Sequence, residues 1–181
     1  IMEEKEILKK LISNKKNRKD YFYLLVDKIK KRLYVIAYSR LQNKSDTEDV
    51  IQETLFEIYK HINKLKDHEK FNSWITSILI NKCNYIYKKN RKCIYLEENE
   101  IDTYYTSQNQ INNINLINDK LDFYSLINCL PIEDRTLIAM FYSEEYTSKE
   151  ISEILNINES TIRSRLKRSR EKIKNYIKRS E

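Results

Sequence analysis

The side chains best suited to bind a polyanion lie in one stretch near the C-terminal end of the sequence. Residues 163–179 hold nine basic side chains and one acidic side chain, and hydroxyl side chains stand just before and among them. Arginine can donate two hydrogen bonds to guanine O6 and N7, while serine and threonine can donate to phosphates or base edges. The candidate DNA contacts are Ser160, Thr161, Arg163, Ser164, Arg165, Lys167 and Arg168. A basic, solvated helix is the alternative interpretation of the same charge.

The local signals place these residues on the second helix of a helix-turn-helix. Residues 147–150 have capping-box spacing and predict the start of a short amphipathic helix. A three-residue turn follows at 156–158, and Asn158 can cap the second helix. The inward stripe of that helix is expected to comprise Ile162, Leu166, Ser169, Ile173 and Ile177. The second helix of such a pair enters the DNA major groove with its N-terminal end.

The composition of the 181 residues favours an all-α fold. Glycine is absent and proline occurs once, which excludes glycine-rich phosphate loops and disfavours tight hairpins. Upstream, apolar residues recur at helical spacing in three segments: Phe22 to Ile36, Ile51 to Ile62 and Phe71 to Leu79. The longest apolar runs are six residues, so direct membrane insertion is not expected. We expect a cytoplasmic protein whose three cysteines are free thiols and bind no metal.

Charge divides the chain into three parts. Residues 1–93 hold 22 basic and 12 acidic side chains, 94–117 hold no basic and four acidic ones, and 118–181 hold 12 and 11. The middle part is also rich in asparagine and glutamine, as linkers often are. The sequence therefore predicts two small helical domains, 1–93 and 118–181, joined by an acidic, polar linker.

A second candidate surface lies on the predicted helix that carries Ile51. A capping box is expected at 45–48, and the exposed side of the helix is expected to hold Asp46, Glu48, Asp49, Gln52, Glu53 and Glu57. An acidic face on a basic domain suits a protein partner. The helix dipole alone favours acids at 46–49, but it explains Gln52 and Glu53 less well.

A third candidate surface begins at the helix that starts with Phe71. In 84–92, aromatic side chains alternate with cations, and such mixtures bind opened single strands because bases stack on rings while cations follow the backbone. The candidate contacts are Lys70, Phe71, Trp74, Asn81, Tyr85, Lys88, Lys89 and Arg91. Core packing is the alternative for the aromatic side chains, and it is the favoured role of Trp74.

Together, the two halves resemble the extracytoplasmic-function (ECF) sigma factors, the short promoter-recognition subunits of bacterial RNA polymerase. The resemblance to region four of the family rests on residues 130–131, 135, 146–151, 154–157 and 161–166. The resemblance to region two rests on 46, 48–49, 52–53, 71, 74–75, 78 and 81. Both motifs occur in the family's order, which is more specific than either motif alone.

The resemblance implies a function without catalysis or cofactor. Region two would bind core RNA polymerase through the acidic helix and would melt and read the −10 element. Loop 66–70 would form one wall of a pocket for an extruded base. Region four would read the −35 element of promoter DNA. The linker would either enter the polymerase or act only as a tether, and an anti-sigma factor, often membrane-anchored in this family, is a further expected partner.

The sequence departs from the family pattern at a few positions. Tyr85 and Lys88 stand where Asp and Arg are usual, Asn156 replaces a usual glycine and Ser152 a usual alanine. Because Tyr85 and Lys88 follow Asn81 in the −10 motif, these two substitutions are expected to affect the −10 sequence preference. We also expect the two domains to move relative to one another until polymerase or an inhibitor fixes them.

Two other functions compete with this interpretation. A stand-alone helix-turn-helix regulator would bind duplex DNA without polymerase and use residues 1–93 for dimerisation. A metal-dependent nuclease would use Asp46, Glu48 and Asp49, with or without His61 and His68. Its carboxylates crowd one helix start, however, whereas metal sites need ligands that converge on one point.

Overall fold

The computed structural model describes residues 2–14, 16–98 and 118–180, apart from the side chains of 91–98, 118–122 and 180. These residues form helices and no β-strand, as the all-α prediction requires. The α-helices are α1 (Glu4–Ser13), α2 (Arg18–Leu41), α3 (Lys44–His61), α4 (Phe71–Glu98), α5 (Asn118–Ile127), α6 (Ile132–Ile138), α7 (Ser148–Leu155) and α8 (Glu159–Ser180). Short 3₁₀ turns at Ile62–Lys64 and His68–Lys70 precede α4, and a π-helical turn at Ala139–Ser143 continues α6. None of the described helices is long and apolar enough to cross a bilayer.

The first four helices pack around α2. This helix contacts α1, α3 and α4, and its Ile29, Leu33 and Ile36 are fully buried, as the apolar spacing predicts. Phe22 and Val26, from the same predicted stripe, are half-buried. Aliphatic side chains at helical spacing therefore make α2 the centre of the first half.

The predicted N-cap of α3 is wrong, because Asn43 caps the helix and not Ser45. The helix begins at Lys44 with Asn43 as its N-cap, and the Asn43 side chain accepts a hydrogen bond of 3.0 Å from the Asp46 amide. Asparagine caps a helix as well as serine does, and Gln42 just before it turns the chain with a φ of 50°. Ser45 therefore lies inside the first turn and is not the cap.

The helix-turn-helix has the predicted caps. The Thr147 hydroxyl accepts from the Glu150 amide at 3.2 Å, and the Thr147 amide donates to the Glu150 carboxylate at 2.8 Å. Asn156 ends α7 in the left-handed conformation with a φ of 53°, which asparagine adopts more readily than most residues. The Asn158 side chain then accepts from the Ser160 amide at 2.9 Å, which caps α8.

The inward stripe of α8 is shorter than predicted. Ile162, Leu166 and Ser169 are buried and Ile173 is half-buried, but Ile177 is exposed. The helices that pack on α8 are α5, α6 and α7. These helices cover only the first turns of α8. The prediction is therefore wrong at Ile177, which keeps the helical spacing but lies beyond the helices that pack on α8.

The two halves share one hydrophobic core in this structure. Helix α2 contacts α6 and helix α4 contacts α7. The hydroxyls of Thr76 on α4 and Tyr146 just before α7 are 2.6 Å apart in a buried hydrogen bond. An Arg40 guanidinium nitrogen on α2 donates to the Thr136 hydroxyl on α6 at 3.3 Å. The structure thus shows a closed arrangement of the halves, where independent movement was expected.

The predicted linker 94–117 can be compared with the helix ends that the structure describes. Helix α5 begins at Asn118, where the second domain is predicted to begin. Helix α4 continues to Glu98, so the first five residues of the predicted linker 94–117 are helical. The rest of the predicted linker, 99–117, lies outside the described residues.

Candidate interaction surfaces

The acidic surface is the outer face of α3. Glu48, Asp49, Gln52 and Glu53 are exposed, while Thr47, Val50, Thr54 and Ile58 on the opposite face are buried. This alternation at helical spacing turns the predicted polymerase-binding residues outward. Asp46 is half-buried.

Two of these acids also contact α4. The Asp46 carboxylate accepts from the Asn90 side chain at 2.9 Å, and the Glu53 carboxylate lies 3.1 Å from the Lys82 ammonium. These contacts brace α3 against α4. Glu53 nevertheless stays exposed on the acidic surface, together with Glu48, Asp49 and Gln52.

An exposed aromatic ring that was not predicted from the sequence lies within the acidic surface. Phe56 is 63% exposed and follows Gln52 by four residues, so both side chains lie on the same face of α3. The Lys60 ammonium lies 5.9 Å from the centre of its ring. The available signal was an apolar residue at a position where the helical pattern requires a polar one.

Helix α4 separates its candidate DNA contacts into a surface set and a core set. Phe71 is 2% exposed and Trp74 is half-buried, with their ring centres 6.4 Å apart. Phe71 thus belongs to the hydrophobic core, and the predicted base contact at this position finds no accessible ring in the closed arrangement. Partial burial of Trp74 against the core agrees with its favoured role.

The surface set lies further along α4. Asn81, Tyr85 and Lys88 are exposed and follow one another at spacings of four and three residues, so they share one face. Tyr85 is 68% exposed, which leaves its ring accessible for stacking. Lys89 and, in the 3₁₀ turn, Lys70 are also exposed, whereas the Arg91 side chain lies outside the described residues.

Loop 66–70 has a defined conformation. The Asp67 carboxylate accepts from the Glu69 amide at 3.0 Å and thereby caps the 3₁₀ turn that leads into α4. The Glu69 carboxylate lies 2.8 Å from the Lys5 ammonium on α1. Because both side chains of this ion pair are exposed, it restrains the loop only weakly.

The basic surface is the outer face of α8. Six of the seven predicted contacts are exposed, namely Ser160, Thr161, Arg163, Ser164, Lys167 and Arg168. Because Ile162 and Leu166 are buried against the neighbouring helices, the six predicted contacts on the other face of α8 point outward. The seventh, Arg165, is half-buried, and its guanidinium contacts the Asp134 carboxylate on α6.

The residues of the nuclease hypothesis do not converge. His61 lies at the end of α3, with its Nε2 atom 3.3 Å from the Glu57 carboxylate, while His68 lies in the 3₁₀ turn before α4. Within the described part of the chain, no three His, Cys, Asp or Glu side chains form a group that could hold a metal ion.

The two cysteines whose side chains the structure describes form no disulfide. Cys83 and Cys129 are free thiols, as expected, and the Cys93 side chain lies outside the description. Burial raises the pKa of the Cys83 thiol to about 12, so this thiol stays protonated and unreactive at neutral pH.

Comparisons with known proteins match both halves. The model of sigma-70 region 2 matches residues 25–93, and that of sigma-70 region 4 matches residues 120–173. The chain is 29% identical to the ECF RNA polymerase sigma factor SigW of Bacillus subtilis over 184 aligned positions, which cover 97% of this chain and 98% of SigW. It is 27% identical to SigM of the same organism, over 78% of this chain and 86% of that protein.

Solved structures share the fold. CnrH, in complex with the cytosolic domain of CnrY, has a TM-score of 0.68 at 18% identity, over 98% of this chain and 99% of that one. RpoE of Bartonella quintana, in complex with the anti-sigma factor NepR, has a TM-score of 0.67 at 20% identity, over 87% and 96% of the two chains. With both regions in order, the chain belongs to the sigma-70 family as an ECF sigma factor, which directs promoter recognition by RNA polymerase.

Proposed function

We propose that the three surfaces divide the work of promoter recognition among them. The exposed acidic face of α3 binds core polymerase, the Asn81 face of α4 captures the opened −10 strand, and α8 reads the −35 duplex. The observation that carries this proposal is the outward orientation of an acidic face and a capped basic helix on one chain. An acidic face does not bind DNA, so it suits the protein partner, while the basic helix suits phosphates.

The −10 function rests on one stripe of α4. A single-stranded base can stack on the exposed Tyr85 ring, Asn81 can hydrogen-bond with a base edge, and Lys88 and Lys89 can follow the backbone. Because Tyr85 and Lys88 replace the side chains usual in the family, the preferred −10 sequence is expected to differ from that of typical relatives.

An anti-sigma factor is the regulatory partner that we propose. The complexes of CnrH with CnrY and of RpoE with NepR support this proposal, since those proteins share the fold of this chain. A membrane-anchored inhibitor is the form that we propose for it. The sigma factor itself would work in the cytoplasm, where polymerase and promoters are found, and would supply no catalytic group, because nucleotide addition belongs to the polymerase.

The Phe56 ring is expected to strengthen polymerase binding. Buried aromatic side chains at the centre of an interface contribute much of the binding energy, and Phe56 lies beside Gln52 and Glu53. Replacing it (Phe56→Ala) should weaken binding to core polymerase by about tenfold, which corresponds to ~1.4 kcal/mol. The measurement is a fluorescence titration of labelled protein with purified core polymerase.

The matched control for this experiment is Tyr23→Ala. Tyr23 is 71% exposed and lies on α2, outside the acidic surface. This variant should bind core polymerase as the unmodified protein does. Equal affinities for the Phe56→Ala variant and the unmodified protein would remove Phe56 from the interface, and equal losses for both variants would indicate a general effect of aromatic removal.

A further inference from the structure

One of the candidate DNA contacts on α8 is held inside the protein. The Arg165 Nε and Nη2 atoms each lie 2.7 Å from the same Asp134 carboxylate oxygen. The two side chains are only 20% and 15% exposed. Two charge-assisted contacts in a partly buried place are much stronger than one contact between exposed side chains.

The neighbouring cations of α8 differ from Arg165. Arg163 pairs with Glu159 of its own helix at 2.6 Å, but the Arg163 side chain is 70% exposed. Lys167 and Arg168 are exposed and have no ion pair with any described residue. An incoming phosphate can therefore contact these three cations at little cost, whereas contact with Arg165 requires Asp134 to lose its partner and stay partly buried.

The other end of the pair is firmly placed. Asp134 lies in the first turn of α6, and its neighbour Arg135 donates to the main-chain oxygens of Leu130 at 2.7 Å and Asn128 at 2.9 Å. These contacts fix the turn between α5 and α6. On α8, Arg165 directly precedes the buried Leu166, so its link to Asp134 joins α8 to α6 at the edge of the core.

We infer that Arg165 is a positioning residue, held by Asp134, and does not contact DNA. The pair sets the rotation of α8 about its axis, and thereby aims Arg163 and Arg168 at the groove. This inference rests on the proposed −35 function of α8 and replaces the DNA contact that the sequence predicts for Arg165. It also gives Asp134, an acidic residue near a DNA-binding surface, a part in promoter recognition.

The test is the salt dependence of holoenzyme binding to a duplex that carries the −35 element. Each phosphate contact contributes about one unit to the slope of log affinity against log salt concentration. The reference variant Arg168→Gln should lower that slope by about one. The Arg165→Gln variant should bind severalfold more weakly but keep the slope of the unmodified protein.

A second variant separates the two roles of Arg165 independently. If Arg165 positions α8, Asp134→Asn should weaken binding as much as Arg165→Gln does, and the double variant should be no weaker than either single one. If Arg165 contacts DNA instead, Asp134→Asn frees a cation and removes an anion, so binding should strengthen. The control Glu133→Gln removes an exposed charge beside Asp134 and measures the effect of charge alone.

Three results would overturn the inference: a slope lowered by about one in Arg165→Gln, a stronger affinity in Asp134→Asn than in Glu133→Gln, or additive losses in the double variant. Thermal unfolding of each variant checks that it folds. If Arg165→Gln does not fold, it is replaced by Arg165→Lys, which keeps the charge but loses the two-nitrogen contact. If holoenzyme shows no −35-dependent binding even when unmodified, the proposed function of α8 fails and not this inference alone.

Discussion

Promoter-directed transcription is expected to stop when a short covalent cross-link holds the two halves in the closed arrangement. The Gln42 side chain at the end of α2 donates to the Asn128 side chain just after α5, so these positions face each other across the halves. In a background without the native cysteines, Gln42→Cys and Asn128→Cys can be joined by a short bismaleimide. Transcription by the cross-linked protein with core polymerase should fall to the level of core polymerase alone.

The reason is the distance between the two promoter elements. Positions −35 and −10 are roughly 25 base pairs apart, or about 85 Å at 3.4 Å per step along one strand. In the closed arrangement α7 contacts both α4 and α8, so one helix separates the two DNA-binding helices. Packed helices have axes about 8–10 Å apart, so the axes of α4 and α8 lie within roughly 20 Å of each other where both pack on α7. One closed molecule therefore cannot place both helices on a promoter, and the halves must separate first.

The controls for the cross-link are the two single-cysteine variants treated with the same reagent. Each carries the modification without joining the halves, so each should retain its transcription activity. Full activity of the cross-linked protein would show that the closed arrangement itself engages the promoter, and the proposed division of work between α4 and α8 would then be wrong.

The second large effect is expected from reversing two charges on α8. The double variant Arg163→Glu and Arg168→Glu should lower transcription from a promoter with a −35 element by at least about a hundredfold. One bidentate base contact is worth about 1–3 kcal/mol, and each glutamate adds repulsion from the phosphates. Run-off transcription at several polymerase concentrations measures the loss.

A matched control lies on the same helix. The double variant Lys178→Glu and Arg179→Glu introduces the same charge change in the last turn of α8, where both side chains are exposed and outside the predicted contacts. It should lower transcription only a few-fold. Unchanged transcription by the Arg163→Glu and Arg168→Glu variant would exclude α8 as the −35 reader, and an equal loss in the Lys178→Glu and Arg179→Glu control would reduce its role to general attraction for DNA.

The local structure could be predicted from the sequence wherever neighbouring residues decide it. The capping box of Thr147 and Glu150, the turn that begins at Asn156 and the cap at Asn158 all depend on side chains within three or four residues, and each occurs as predicted. The start of α3 also depends on local contacts, but Asn43 and Ser45 are both good caps. The preceding turn at Gln42 decides between them, and the sequence alone does not show that turn.

The parts that could not be predicted depend on distant residues. Burial of Phe71 and exposure of Phe56 follow from which helices pack together, since both residues look apolar in the sequence. The contact of Arg165 joins residues 31 positions apart on α6 and α8. The closed arrangement likewise depends on pairs such as Thr76 and Tyr146, which carry no local signal.

The most direct test of the central claim is in vitro transcription with purified bacterial core polymerase, with and without this protein, on fragments of the source genome. For a sigma factor, discrete start sites should appear only with the protein, each preceded by shared −35 and −10 sequences. An absence of such transcripts, together with sequence-specific duplex binding by the protein alone, would contradict polymerase-dependent promoter recognition and support the stand-alone regulator.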